Sequence, residues 1–191
     1  MIRHSTTAWN ESGRIQGHSD QPLSPAGSAA AASWVLPPAA ADAAWISSPL
    51  TRARDTAEIL HGGPVPSDPR LVETDWGDWE GKTLAELRRE LGSDMADNEA
   101  RGLDFRPPGG ESPREVQQRV LPLLADLAQK AGTVVAVTHK GVIRAVYALA
   151  SGWDMRGKPA VKLRNGCAQG FTLGAGGLPS IDALNISLQR S

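Results

Sequence analysis

The stretch Thr133-Val134-Val135-Ala136-Val137-Thr138, running directly into His139-Lys140-Gly141, decides the fold. Between its threonines it is apolar and largely β-branched, and Gly132 precedes it, which is the pattern of a strand buried on both faces. A strand of that kind sits inside a sheet covered by helices. It stops on a histidine, and the sequence predicts a helix starting at once. Such a junction presents free backbone amides and the positive helix end to an anion, so His139 stands where it can donate to phosphate oxygens.

Outward from this strand, shorter strands are predicted at 44–47, 168–173 and 180–186, separated by helices or glycine-rich turns. Serine caps with proline in the first helical turn are expected at Ser24-Pro25 and Ser48-Pro49. Thr83 with Glu86, and Ser112 with Glu115, match the capping box, in which two side chains satisfy backbone amides at a helix start. The last of these opens a helix predicted over 113–130. Its buried stripe is Val116, Val120, Leu123, Leu124 and Leu127, with Arg114, Gln117, Gln118 and Lys130 facing water. The alanine- and proline-rich stretch 36–44 reads as a helix end and a loop. Alternating strands and helices predict an α/β fold, a three-layer α/β/α sandwich around a mostly parallel central sheet, with ligands at the carboxyl ends of the strands. Only Met1 and Ile2 precede Arg3, fewer than the usual strand of about five or six residues. The expectation there is a start upstream of Met1 or a clipped edge strand.

A length of 191 residues fits one domain over 1–191. Basic and acidic side chains nearly cancel, 20 against 21, so no global field favours nucleic acid or an anionic membrane, and any anion must be caught by a local cluster. Cys167 is the single cysteine; it excludes an internal disulfide and a multi-thiolate metal site, and it reads as a small buried apolar residue. No apolar run approaches a membrane span, and no basic region leads into an apolar one at the N-terminus, so a soluble cytoplasmic protein is expected. The sequence does not set the oligomeric state, and a homodimer is left open.

Two further segments follow predicted strands and carry chemistry. Arg3-His4 puts a planar fork of donors beside an imidazole, which suits a phosphoryl group better than a metal ion. In Ser48-Pro49-Leu50-Thr51-Arg52-Ala53, Arg52 falls in the first turn of a helix, from where it can lean back over the strand ends. His4, His18, His61 and His139 do not pair at metal-ligand intervals, so neither a metal nor a cofactor is expected; His18 and His61 read as exposed loop or helix-end residues.

Taken together, these segments resemble the histidine phosphatase superfamily, the phosphoglycerate-mutase-like proteins, from Ile2 to about Arg144. Five blocks agree in order: Arg3-His4-Ser5-Thr6-Thr7-Ala8-Trp9-Asn10 with Gly13-Arg14-Ile15-Gln16-Gly17; Ser48 to Ala53; Leu71-Val72-Glu73 with Gly77-Asp78-Trp79-Glu80-Gly81; Gly109-Gly110-Glu111-Ser112; and Thr138-His139. The resemblance implies that His4 is a nucleophile, His139 the second active-site histidine, Arg3 and Arg52 a phosphate clamp and Glu73 the proton donor. It also places Asn10 and Gln16 around the phosphoryl group. Two positions depart from the family pattern, Ser5 and Lys140, where glycine is usual. The amide of Lys140 could cradle phosphate, with its ammonium at the pocket edge or in solvent.

The implied activity is metal-independent hydrolysis of a small-molecule phosphate monoester through phosphohistidine. The alternatives are a phosphoglycerate mutase, which the short gap from Glu73 to Gly109 disfavours, and a non-catalytic module that binds a phosphorylated ligand. Candidate substrates are a sugar phosphate, a phosphorylated carboxylic acid or a nucleotide-loop intermediate as in α-ribazole phosphatases. Trp9, Trp76 and Trp79 flank motif residues and read as packing, or else as apolar lining of the pocket mouth.

Overall fold

The structure, a computed structural model, describes residues 1–189. Its strands are β1 (Ile2–Arg3), β2 (Ala44–Ser47), β3 (Val134–Thr138), β4 (Cys167–Leu173) and β5 (Pro179–Ser187), in the order β2-β3-β1-β4-β5. β2, β3 and β1 pair in parallel, β4 runs against β1, and β5 runs against β4. Every strand but β4 therefore points the same way. The helices are α1 (Ala8–Glu11), α2 (Pro25–Ser33), α3 (Thr51–His61), α4 (Leu84–Leu91), α5 (Ser93–Glu99), α6 (Pro113–Ala128) and α7 (Lys140–Ser151). No helix among the described residues is long and apolar enough to cross a membrane.

Alternation of side chains along β3 feeds two cores. Val135 and Val137 join Ile2, Ala53, Ala57 and Leu188 on one face, where α3 packs. Ala136 points the other way, into Leu71, Val116, Val120, Leu123, Val142 and Val146 of the α6–α7 layer. This is the expected three-layer arrangement, each fully buried valine or leucine contributing about 1.5–3 kcal/mol. Both capping boxes form as predicted, at Thr83 and Ser112, and Ser24 caps α2.

The structure corrects four expectations. Gln117 does not face water; it is buried against α7 and donates to the carbonyl of Ala145, which satisfies its amide inside the layer. Ser48 does not cap α3, whose N-cap is Leu50; its hydroxyl is engaged elsewhere. β1 is short but lies between β3 and β4 rather than at an edge. Cys167, at the start of β4, is only half-buried.

Candidate active site

Parallel register brings three strand ends level. Arg3 is opposite Thr138 across β1 and β3, and Ser47 is opposite Val137 across β2 and β3. The ladder continues one step further, with His4 N donating to the Thr138 carbonyl at 2.9 Å and Ser48 N to the Val137 carbonyl at 2.9 Å. Two histidines 135 positions apart in the chain thus leave neighbouring strands side by side, their ring centroids 5.1 Å apart and tilted at 56°.

Hydrogen bonds fix how each ring is protonated. Nδ1 of His4 lies 2.6 Å from the carbonyl oxygen of Ser5. A carbonyl can only accept, so Nδ1 carries the proton and Nε2 keeps its lone pair. His139 Nε2 lies 2.7 Å from Ser48 Oγ. Among the described residues that hydroxyl accepts from Leu50 N at 3.3 Å and has no acceptor for its own hydrogen other than Nε2; with the hydrogen given to Nε2, the ring proton sits on Nδ1, the nitrogen left without a partner.

Arg52 is fully buried, with Nη2 donating to the carbonyl of Gly17 at 2.7 Å and Nη1 to that of Ser19 at 3.1 Å. Arg3 donates through Nη1 to Asn165 Oδ1 at 2.7 Å. The buried side-chain nitrogens and oxygens left without a partner among the described residues are Nε of Arg3, Nε of Arg52 and Nδ1 of His139. Each orphaned donor costs about 1–3 kcal/mol when nothing accepts from it. All three belong to residues expected to hold one phosphoryl group.

Glu73 is pinned against the start of α7. Its Oε1 accepts from Thr74 N at 2.9 Å and from Gly141 N at 3.0 Å, so the carboxylate serves an unsatisfied amide of the first helical turn. The approach requires glycine: a methyl group at Gly141 would overlap Thr74 Oγ1 and Glu73 Oε1. Oε2 is hydrogen-bonded to none of the described residues.

A sequence profile of the histidine phosphatase superfamily (branch 1) matches residues 1–187. The chain belongs to the histidine phosphatase superfamily. A glucosyl-3-phosphoglycerate phosphatase of Mycolicibacterium vanbaalenii is 38% identical over 177 residues, covering 84% of this chain and 77% of that protein. A 2,3-bisphosphoglycerate-dependent phosphoglycerate mutase of Gloeobacter violaceus is 32% identical over 163 residues, 76% of this chain and 72% of its own. The solved structure of a mycobacterial glucosyl-3-phosphoglycerate phosphatase in complex with VO3 superposes with a TM-score of 0.82 at 30% identity, covering 98% of both chains.

Around this candidate site the remaining expected residues divide. Asn10 and Gln16 meet at Thr7: Asn10 Oδ1 accepts from Thr7 N at 3.1 Å, and Gln16 Oε1 accepts from Thr7 Oγ1 at 2.9 Å. Their oxygens are thus committed to local structure, and only the amide NH2 groups are left for a ligand. Lys140 stands on the surface at the first position of α7, its ammonium held below the usual lysine range by desolvation and by Arg3 and Arg144. Ser5 needs no glycine-like backbone, since its φ is not positive; it is buried, donating from Oγ to the Gly27 carbonyl at 2.7 Å. His18 and His61 are exposed as expected, and His18 Nε2 reaches the Glu73 carbonyl at 2.9 Å. Trp76 and Trp79 pack with Phe105, with centroids 5.7 and 5.8 Å from it.

Sequence reasoning missed the residues that hold the site in place. Arg119 of α6 donates to the carbonyls of Arg70, Val72 and Glu73 while paired with Glu111, and so fixes the segment that delivers Glu73. Glu80 accepts from His18 N, Ser19 N and Ser19 Oγ, which shapes the loop that receives Arg52. Glu111 and Glu80 lie inside quoted blocks, but nothing in local spacing names their partners.

Burial, then Arg3 and Arg52, holds the His4 imidazolium well below the usual histidine range; burial, then His4, Arg52 and Arg3, does the same for His139. Unfolded histidines take up protons near pH 6.5, whereas these folded ones do not, so the unfolded state binds more protons below that pH. Stability is complete above about pH 6.5 and falls as the pH drops, by about 1.4 kcal/mol per unit for each histidine. Urea unfolding at pH 7 and pH 5 measures this; equal free energies would count against neutral burial of the pair.

Proposed function

We propose that this chain hydrolyses a small-molecule phosphate monoester by passing the phosphoryl group through Nε2 of His4. The observation that carries this reading is the set of orphaned donors on Arg3, Arg52 and His139, gathered beside a histidine whose free nitrogen bears a lone pair. A tetrahedral oxyanion would satisfy all three. Arg3 and Arg52 disfavour the imidazolium by like-charge repulsion and neutralise the incoming phosphate, so the same charges that bind substrate keep the nucleophile neutral. As the phosphoryl group transfers, charge spreads over its equatorial oxygens, where preorganised donors stabilise it without reorganisation.

Glu73 gives a proton to the leaving alkoxide, then takes one from the water that attacks phosphohistidine and returns free His4 and inorganic phosphate. No step calls on a metal ion, so turnover is expected to persist in chelator. Glu73→Gln keeps the oxygen that accepts from Thr74 and Gly141 but loses the transferable proton. It should slow alkyl phosphates by about 10²-fold or more and aryl phosphates much less; equal losses on both would remove Glu73 from the acid's role. The hydrolase mechanism itself is tested by rapid quenching with substrate, which should trap acid-labile phosphate on His4. Phosphate found on serine instead would overturn it.

The phosphatase reading is favoured over a mutase by the segment between Glu73 and Gly109. It holds the short helices α4 and α5, which tuck Leu87 and Met95 under Trp79 in a small core of their own. The phosphatase relatives are named for a phosphoglycerate ester, and a small organic phosphate is the proposed substrate here, in a cytoplasmic setting consistent with a single cysteine.

A further inference from the structure

The loop that receives Arg52 is fixed at three successive residues. The carbonyls of Gly17 and Ser19 accept from the Arg52 guanidinium, and the amides of His18 and Ser19 donate to the Glu80 carboxylate at 2.6 and 2.8 Å. Gly17 is required for so close an approach: its φ is +54°, and a methyl group there would overlap Glu80 Oε1. From this held backbone the ring of His18 reaches a segment 55 positions further on, with Nε2 at 2.9 Å from the Glu73 carbonyl oxygen. A carbonyl only accepts, so Nε2 carries a hydrogen whether the ring is neutral or charged. Nδ1 faces Asp75 Oδ2 at 3.7 Å, outside hydrogen-bond range.

Glu73 lies in an irregular stretch between two single turns of 3-10 helix, Pro69–Leu71 and Gly77–Trp79, so no regular ladder of backbone bonds sets its place. Among the described residues four donors do: Thr74 N and Gly141 N on Oε1, and Arg119 Nη2 and His18 Nε2 on the carbonyl. Arg119 Nη2 is 3.2 Å away and is divided among this carbonyl, that of Val72 and the Glu111 carboxylate. His18 is the nearer of the two. It is also the one donor of the four that comes from the loop clasping Arg52.

We propose that His18 is a positioning residue for the proton-transfer step: its ring ties the backbone of Glu73 to the loop that clasps Arg52, so that acid and phosphate clamp are held in one geometry. The inference rests on the phosphatase reading above, with Glu73 as the acid. Position matters steeply for such a group, because the proton passes only across about 2.6–3.2 Å and a displacement of about 1 Å costs up to about 10²-fold. His18 acts through Glu73 and not on the phosphoryl group. Without the ring, Oε1 keeps Thr74 and Gly141 and the carbonyl keeps Arg119, so the acid is displaced rather than lost. The His18 side chain is 43% exposed, so its truncation opens no cavity in the core, and water can take up the carbonyl it leaves.

The test is the ratio of kcat/KM for an alkyl ester, glycerol 3-phosphate, to that for p-nitrophenyl phosphate, whose leaving group needs no proton. It is measured for wild type, His18→Ala and His18→Gln, each with and without Glu73→Gln. His18→Ala should lower the ratio about tenfold while the aryl rate stays within about twofold. His18→Gln, whose side-chain amide can donate to the same carbonyl, should restore most of it. In the Glu73→Gln background His18→Ala should lower the ratio no further, because no proton is left to misplace. A general loss of activity lowers both esters together and so does not imitate the result. An unmoved ratio in His18→Ala, no recovery in His18→Gln, or the same additional loss on top of Glu73→Gln would each overturn the positioning role. If Glu73→Gln itself leaves the ratio unmoved, the acid assignment fails and the proposal with it; a wild type that cleaves neither ester overturns the phosphatase reading as a whole.

Discussion

His4→Ala is expected to lower kcat by roughly three orders of magnitude or more, because it removes the atom that forms the covalent bond to phosphorus. No neighbouring group is placed to substitute. Nε2 of His139 is committed to the Ser48 hydroxyl, and its other nitrogen carries the proton that the phosphate oxygens need. Phosphate should still bind, since Arg3, Arg52 and Nδ1 of His139 are untouched. Calorimetric titration with inorganic phosphate alongside steady-state kinetics separates the two roles, and a variant that turns over at near-native rate would end the assignment.

Arg52→Ala should be nearly as damaging, for two reasons that add. Its guanidinium is the only charge on the site that is fully withdrawn from solvent, so its loss removes a preorganised donor where charge develops, costing about 10²–10³-fold in kcat/KM. It also deprives the carbonyls of Gly17 and Ser19 of their donor and leaves Asp20, Glu73 and Glu80 without the cation whose charge they face. A loss of about 2–4 kcal/mol in stability is expected from the cavity and the orphaned carbonyls. Arg52→Lys keeps the charge but cannot span both carbonyls, so it should restore part of the stability and little of the rate. Denaturant unfolding and kinetics on the same preparations would show this split; an alanine variant with unchanged kcat/KM would remove Arg52 from the phosphate clamp.

The fold was legible because its signals are local. The 133–138 run, the two capping boxes and the helical stripe of α6 each follow from spacing within about a dozen residues, and each appears where expected. The site was legible where chemistry sits at a strand end, as at His4 and His139. What could not be read depends on which distant atoms meet. Gln117 is polar at a position that, on helix geometry alone, could face either way, and only the carbonyl of Ala145 decides it. Ser48-Pro49 has the form of a helix start, yet the hydroxyl's partner is a ring 91 positions further on. The resemblance implies Asn10 and Gln16 around the phosphoryl group, but that Thr7 takes their oxygens, leaving only the NH2 groups to face a ligand, is not readable from spacing.

The pairing of Ile2 with Val137 has a bearing on how the molecule comes into being. Joining those two residues closes a loop of more than a hundred residues, an entropic demand that grows only slowly with length but is met before any reward is gained. Helices and the β4–β5 hairpin need no such encounter. Local structure can form without that closure, whereas the imidazole of His4 meets that of His139 only through it, so the catalytic pair depends on the long-range register and not on the helices alone.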